Sequence, residues 1–593
     1  MRISIRPSSK SSDVIYIIKD IYLRDLRGKK GISNPSGKER TTVTVKKLGR
    51  IDELMEKMNM SRDEVIAWAK AEAKRMTDEE KANNEVISVD YHPNVLIDKG
   101  ERRLFGCGYL FLQSLLYDLR IDNICRNIKN RHKYDFDLEN ILSDLVYARV
   151  LEPGSKRSSL DYCSSLLEAP KYQLHHVYRT LSVLAKEMDY IQAEIYKNSN
   201  FAVPRNNHIL YYDCTNYYFE IEEPDELRKY GKSKENRPNP IVQMGLFMDG
   251  DGLPLAFNIF EGNKSEQQSM TPLEEEILKN YGIDKVVVCT DAGLGSDANR
   301  HFNDIQERGF IVTQSLKKLK EEDRKIAMND EGWKRLSDGQ RVDIAAIKAE
   351  PESYTNELFY KEEPYGTKKV PGQIMYVTYS PRYALYQKEI RKGQIERAEK
   401  MVNAGRSKRE TKNPNDPARF VRKTAVTKDG EVAESTICEL DTDRIMNESS
   451  YDGFYAVCTN LTADSVKDIL KVSEGRWQIE ESFRIMKTDF EARPVYLSRE
   501  DRIKAHFLIC YLALLLYRII EKKLEKKYTC REIISTLREM KLLSSAGKGY
   551  IPAYTRTDLT DELHLLFGFR TDYEILKKSY IRSVIAKTKK RNQ

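Results

Sequence analysis

Apolar and polar positions alternate at the start of the chain. VIYII (Val14–Ile18) and TVTV (Thr42–Val45) read as strands, with a loop rich in Gly, Lys and Ser between them. Ser61 to Glu64 (S-R-D-E) has the form of a capping box ahead of an apolar stretch, which predicts a helix. Residues 1–100 therefore read as a small α+β region. Its basic residues Lys29, Lys30, Lys38, Arg40, Lys46 and Lys47 suit either DNA or an ordinary solvated face. From Leu104 to Tyr196 the apolar step lengthens. Leu138, Ile141, Leu142, Leu145 and Val146 recur every three or four residues, and Pro153-Gly154 stops that helix. Further helical sets follow at Leu160–Leu167 and Val177–Ile195. Residues 101–200 are thus expected to be a helical module. Lys156 and Arg157, placed in a loop, suit a DNA-binding helix-turn-helix; the alternative is a bundle with no role in DNA binding.

The pattern then changes to short apolar runs separated by helices, which marks an α/β domain. HILYYDCT (His208–Thr215) and KVVVCTDAG (Lys285–Gly293) are strand candidates that run out at an acid. Between them, Ile241–Gly262 reads as a hairpin around Gly-Asp-Gly, followed by an amphipathic helix at Ser269–Asn280. A helix from Asp297 to Arg308 and a strand at Phe310–Ser315 complete residues 201–316 as the first part of a core. Residues 317–450 break the rhythm. They are polar, basic from Arg406 to Lys423, and read as an inserted, partly β subdomain. FYAVCTN (Phe454–Asn460) restores an apolar strand, so 451–525 is the second part of the core, and 526–593 is a helical and basic C-terminal region.

Composition adds limits. A chain of 593 residues is too long for one ordinary domain. Lys and Arg exceed Asp and Glu by 99 − 91 = 8, which is too mild an excess to establish a nucleic-acid partner by itself. The end of the chain, from Lys577, carries Lys578, Arg582, Lys587, Lys589, Lys590 and Arg591; such a tail can touch phosphates or simply be solvated. The nine cysteines include no C-x-x-C pair and no zinc-ligand spacing, and they suit a reducing compartment. The opening MRISIRPSSK has no apolar signal-peptide core. The longest apolar run, Phe507–Tyr517, falls well short of the roughly 20 residues that span a bilayer. A buried helix, a cytoplasmic location and no membrane partner are expected.

Asp213 and Asp291, at the ends of apolar strands, stand where α/β sheets gather ligands. Paired carboxylates are the hard oxygen donors that a magnesium site uses, and two such ions can drive in-line phosphoryl transfer. Either acid can equally cap the turn that follows it. In RWQIEESFRIMK, Arg476, Glu480 and Lys487 share one helical face, which suits a carboxylate between two phosphate-gripping cations or an exposed ion-pair ladder. Glu261, at a strand end, is a lesser candidate. Glu481 is expected to be solvated, Asp297 to cap its helix, and Asp249 and Asp251 to serve the hairpin turn.

This segment resembles the Tyr/Arg/Glu/Lys signature (Y-x2-R-x3-E-x6-K) of a large group of DDE transposases from bacterial insertion sequences. Arg476, Glu480 and Lys487 match the spacing, and RPVY (Arg493–Tyr496) follows. YYDCTNYYFE around Asp213, CTDAGLGSDANR around Asp291 and YDGFYAVCTN before the signature also resemble that group; the likeness extends over 207–523. The signature's tyrosine would stand at 473, where this chain has Ser473. The resemblance implies an RNase H-like core with the first Asp on the first strand, the second after the fourth, and Glu on a later helix. It implies Asp213, Asp291 and Glu480 as catalytic metal ligands for Mg²⁺ (with Mn²⁺ substituting), and Arg476 and Lys487 as DNA contacts. The partners implied are terminal inverted repeats and target DNA, with a homodimer in the active complex. A nuclease of the same fold, or a non-catalytic DNA-binding descendant, are the alternatives.

Overall fold

The computed structural model describes residues 1–7, 12–22, 40–84, 87–89, 91–283, 286–404, 415–426, 435–545 and 547–590. It divides into two compact units, 1–97 with 545–548, and 98–544 with 549–593. In the first, Arg2–Arg6, Val14–Tyr22 and Arg40–Arg50 form an antiparallel sheet in chain order. Helices Ile51–Met58 and Arg62–Asn84 cover it, enclosing Ile15, Ile51, Leu54, Val65 and Ala69. The capping box forms as its sequence demands: the Ser61 N–H donates to Glu64 (2.7 Å) and the Glu64 N–H to the Ser61 hydroxyl (3.4 Å). Of the basic candidates here, Lys29, Lys30 and Lys38 lie outside the described residues. Lys46 is held by Glu72 at 3.2 Å.

The second unit is organised by one nine-stranded sheet. Its strands in chain order are β1 (Ile209–Tyr218), β2 (Ile241–Asp249), β3 (Pro254–Glu261), β4 (Val287–Thr290), β5 (Gly309–Thr313), β6 (Lys334–Arg335), β7 (Phe359–Tyr365), β8 (Gln373–Tyr379) and β9 (Phe454–Thr459). Across the sheet they run β3-β2-β1-β4-β5-β9-β8-β7-β6. The β1–β4 and β4–β5 pairs are parallel and every other pair is antiparallel. The expected order of strand, hairpin, helix, strand, helix, strand is present.

The insertion differs from the expectation of a separate subdomain. Three of its strands, β6, β7 and β8, extend the core sheet through β9. The reason is the free edge of β5, whose backbone groups need a partner; β9 supplies it and then presents the same demand to β8. Among the described residues of the insertion, Val421–Val426 and Ser435–Leu440 form a separate antiparallel pair. The first half of the basic stretch, 406–414, lies outside the described residues.

Alternation along β1 assigns its side chains to two faces. Leu210, Tyr212 and Cys214 pack with Phe247 and Val288 against Met270, Leu273 and Ile277 of α1 (Met270–Tyr281). Tyr211 and Tyr217 point to the opposite face, where α2 (Val466–Glu474), α3 (Trp477–Thr488) and α4 (Glu500–Lys523) lie. α4 is long and apolar enough to cross a membrane, yet it is enclosed by this protein. Phe507 packs against Tyr217 with ring centroids 4.8 Å apart and planes tilted by 50°, and the Tyr511 hydroxyl donates to the Leu255 carbonyl at 2.9 Å. Its other side meets helices Leu138–Leu151 and Leu174–Lys186. An all-apolar helix has to be buried all round, so residues 101–200 and the core fold together. The C-terminal region joins them: Lys541, Leu542 and Leu543 pair with Gly106, Phe105 and Leu104, and helix Lys578–Thr588 packs on Tyr109–Asp118.

Lys156 contradicts its placement in a DNA-facing loop. It is the first residue of helix Lys156–Cys163, it is buried, and its amine lies 3.3 Å from His506 Nδ1. Burial, with Arg149 nearby, lowers its pKa to about 7. Below pH 7 the folded protein therefore carries a buried ammonium. Between pH 7 and the unfolded value of 10.5 the folded amine is neutral while the unfolded chain binds the extra proton, so stability rises with pH. Lys156→Met is expected to raise the melting temperature most at pH 7 and below, with the gain shrinking toward pH 10. DNA affinity should be unchanged. Calorimetry and a binding titration check both.

Candidate active site

Asp213 is not at a strand end, as its sequence setting suggested, but is the fifth residue of β1. The strand continues because Cys214 to Tyr218 stay paired with β2. β4 is shorter and ends at Thr290, so Asp291 begins the loop after it. The parallel register aligns Ile209 with Val287, Leu210 with Val288 and Tyr211 with Cys289, a constant offset of 78. Asp213 and Asp291 are also 78 apart. The register thus runs toward both, and the two acids are near enough for the Asp291 charge to act on Asp213. Asp213 is 9% exposed and accepts the Cys214 N–H at 2.7 Å. The Asp291 carboxylate accepts the N–H groups of Gly293 (3.0 Å) and Leu294 (2.9 Å), which orients it. Burial raises the Asp213 pKa to about 6; Asp291 adds to the rise, while Lys234 and Arg476 oppose it.

Glu480 lies in the first turn of α3, on the face of the sheet that carries Tyr211. Gly475 makes the approach possible. A Cβ there would come within 2.1 Å of the Tyr211 hydroxyl, so any other residue would require Tyr211 or the start of α3 to shift. Arg476, at the N-cap, pairs with Glu480 at 2.9 Å and also feels the charges of Tyr455, Asp213 and Asp291. One guanidinium thus pairs with Glu480 and feels the charges of both aspartates. Burial pulls its pKa down, and this is outweighed by those anions.

α3 is held by a residue that the sequence reading did not single out. Arg518 of α4 is 3% exposed. It donates to the Gln478 carbonyl (3.2 Å), Glu481 (3.0 Å), the Ser482 hydroxyl (2.9 Å) and Glu521 (2.7 Å). Glu481, expected to be solvated, is therefore one leg of a clamp that brackets Glu480. An arginine inside an apolar helix was the available signal, because a buried cation demands partners.

The stripe of Arg476, Glu480 and Lys487 is split. Lys487 turns to Glu235 (3.3 Å), which also binds Arg493 (3.1 Å). Lys234, next in sequence to Glu235, faces Asp213 and pairs with Glu266 at 3.2 Å. Nothing in the polar run from Glu220 to Pro240 marked Lys234 or Glu235 beforehand. Ser473 is buried, with its hydroxyl 3.3 Å from that of Tyr455 on β9, which reaches Thr313 at 2.7 Å. A phenol from the neighbouring strand thus stands at the position where the resemblance led one to expect a tyrosine. Glu261 is on the edge strand β3, two strands from Asp213, and pairs with Lys229 (3.4 Å). Asp249 is locked in a fully buried pair with Arg205 at 2.6 Å. Asp297 is the first residue of its helix, and Ser296 is the cap.

Beside Asp291 opens a cleft of about 450 Å³. Ala292, Thr313 and Tyr455 line its sheet side, and exposed Tyr383, Tyr386 and Ile390 of helix Pro381–Asn403 line the other.

Two neighbouring aspartates, a glutamate paired with an arginine that also feels their charges, and flanking cations match the charge pattern of a phosphoryl-transfer site. Residues 219–516, half of the chain, match the transposase DDE domain family. The chain belongs to that family. The matched segment holds Asp291 and Glu480 and begins six residues after Asp213. No curated protein matches this transposase. Among solved structures it is similar to a piggyBac transposase synaptic complex with hairpin DNA, at 8% identity and TM-score 0.34, covering 82% of this chain and 85% of that one. It is also similar to the Mos1 transposase paired-end complex with the left transposon end, at 10% identity and TM-score 0.14, covering 40% and 66%. Likeness at these scores carries no weight for the fold, which rests on the strand order described above.

Proposed function

We propose that this transposase serves a bacterial insertion element of the Tyr/Arg/Glu/Lys group, with an RNase H-like core formed by β1 to β5. It binds the element's terminal inverted repeats, cuts DNA there and joins the freed end to target DNA, acting in the cytoplasm as a homodimer that pairs two ends. The observation that carries this reading is the placement of Asp213, Asp291 and Glu480 around Arg476. Three carboxylates, one of them raised toward neutrality by its buried setting and its neighbour, offer the hard oxygens that Mg²⁺ or Mn²⁺ takes, and since their ligand atoms do not all lie within 4.8 Å of one another here, holding an ion requires them to draw together. Divalent cations bound there supply Lewis acidity to the scissile phosphodiester. Asp213 holds its place from the strand and Asp291 from the loop N–H groups of Gly293 and Leu294, and Arg476 ties Glu480 to their side of the sheet. Lys234 balances charge beside Asp213. The cleft lined by Tyr383, Tyr386 and Ile390 gives the DNA a path with aromatic faces for its bases.

The test uses the purified full chain with a labelled duplex that joins the element's own terminal repeat to flanking DNA. Cleavage that requires Mg²⁺ or Mn²⁺, stops in EDTA and leaves a 3′-hydroxyl able to attack a plasmid supports the proposal. Cleavage without joining reduces the protein to a nuclease; no cleavage by folded, DNA-binding protein overturns the catalytic assignment. Arg476→Ala and Lys487→Ala are each expected to lower the cleavage rate by about tenfold or more, because each loses a charge-assisted contact that orients the site or its phosphate. The log–log salt slope of DNA binding should fall by up to about one for Lys487→Ala. Wild-type rates in both variants would return these residues to ordinary ion pairing.

A further inference from the structure

The strand that carries Asp213 outruns its neighbour. β1 continues to Tyr218, whereas its pairing with β4 stops at Tyr211. Backbone edges need partners, and the segment from Lys232 to Lys234 settles here. Asn216, 2% exposed, donates to the Lys232 carbonyl (3.1 Å) and accepts the Lys234 N–H (3.2 Å). The Lys234 ammonium then caps the Cys214 carbonyl, one residue beyond Asp213, and pairs with Glu266 at 3.2 Å.

This ammonium offers more than a cap needs. A lysine carries three N–H donors, and among the described residues two of them are committed, to Cys214 and Glu266. Its charge is the strongest that acts on Asp213, and Lys487 feels it as well. Yet its ion pair is with Glu266 and not with Asp213. A cation that served Asp213 alone would close onto it. Here the ammonium stands beside the carboxylate with a donor to spare, and 40% of the Lys234 side chain is exposed, so an anion brought to the site can reach it. We propose that Lys234 is a substrate contact of the cleavage reaction, donating to a non-bridging oxygen of the scissile phosphate and holding it beside Asp213. This rests on the function proposed above. A phosphodiester enters a site lined by carboxylates, and a fixed ammonium offsets their repulsion before and during the transfer. Glu266 is the internal competitor for the same ammonium.

Binding of the full chain to a duplex in EDTA, where nothing is cut, tests the contact apart from catalysis. The duplex carries either the natural phosphate or a neutral methylphosphonate at the junction of terminal repeat and flanking DNA. Lys234→Gln keeps a donor for the Cys214 carbonyl and removes the charge. Neutralising the phosphate should cost wild type about tenfold more affinity than it costs Lys234→Gln, because the variant has already lost the charge-assisted contact. Lys234→Arg should recover part of that difference. Glu266→Gln releases the ammonium and should bind the natural duplex several-fold tighter, a gain that loss of folding cannot mimic. With Mg²⁺, Lys234→Gln should cut about tenfold or more slowly than wild type. An equal loss on the methylphosphonate duplex in wild type and Lys234→Gln, or cutting by Lys234→Gln at the wild-type rate, would overturn the proposal. The tenfold difference in a wild-type protein that cuts nothing would keep Lys234 as a phosphate contact and sink the catalytic reading instead.

Discussion

Asp213→Asn, Asp291→Asn and Glu480→Gln are each expected to lower cleavage of terminal DNA by about 10³-fold or more, since the loss of one ligand removes several kcal/mol of transition-state stabilisation. Folding and DNA binding should survive. Asp213→Asn carries a further signature. The pKa of Asp213 is raised from 3.8 to about 6 by burial, with Asp291 adding to it. Below pH 3.8 folded and unfolded chains are both protonated at this group. From there to pH 6 the folded protein holds the extra proton, so stability falls as pH rises, and above pH 6 the loss is complete. In EDTA the Asn variant should therefore melt at the wild-type temperature near pH 4 and above it at pH 7. Cleavage at the wild-type rate in any of the three would remove that residue from the site; an Asp213→Asn protein less stable than wild type at pH 7 in EDTA would refute the electrostatic account.

The second large effect belongs to Arg518. Arg518→Met keeps the apolar stem but leaves Glu481, Glu521 and the Gln478 carbonyl without their shared donor. Removing one partner of a buried charge network costs about 3–5 kcal/mol. The same clamp positions α3, so cleavage should fall by more than stability alone predicts, and it should fall at temperatures where the variant is fully folded. Arg518→Lys, a point charge in place of the planar fork, should recover only part of either property. Denaturation and single-turnover cleavage at 15–20 °C below the variant's melting point separate the two. Full activity in folded Arg518→Met would show that α3 holds its own place.

Periodicity was enough to place most elements, because period two and period 3.6 write themselves into a chain directly. It identified the strands that carry Asp213 and lead to Asp291, the helix of Glu480 and the buried apolar helix α4. It misjudged relations that depend on neighbours. Asp213 read as a strand end because the polar residues after it look like a loop, while in the sheet they stay paired with β2. Lys156 read as a loop cation because sequence does not reveal that His506 and α4 close over it.

By itself, the sequence determined the order of the core's strands and helices and the spacing of 78 between Asp213 and Asp291, since these are properties of chain position. Only the tertiary structure decided that this spacing equals the parallel register of β1 and β4, which brings the two aspartates into each other's field. It alone decided that the insertion extends the core sheet, that Lys487 turns to Glu235 rather than to Glu480, and that Tyr455 stands beside Ser473. In each case the deciding quantity is a contact between segments far apart in sequence. Such contacts follow from the need to pair every buried backbone edge and charge, and no local pattern of residues records which distant partner will meet it.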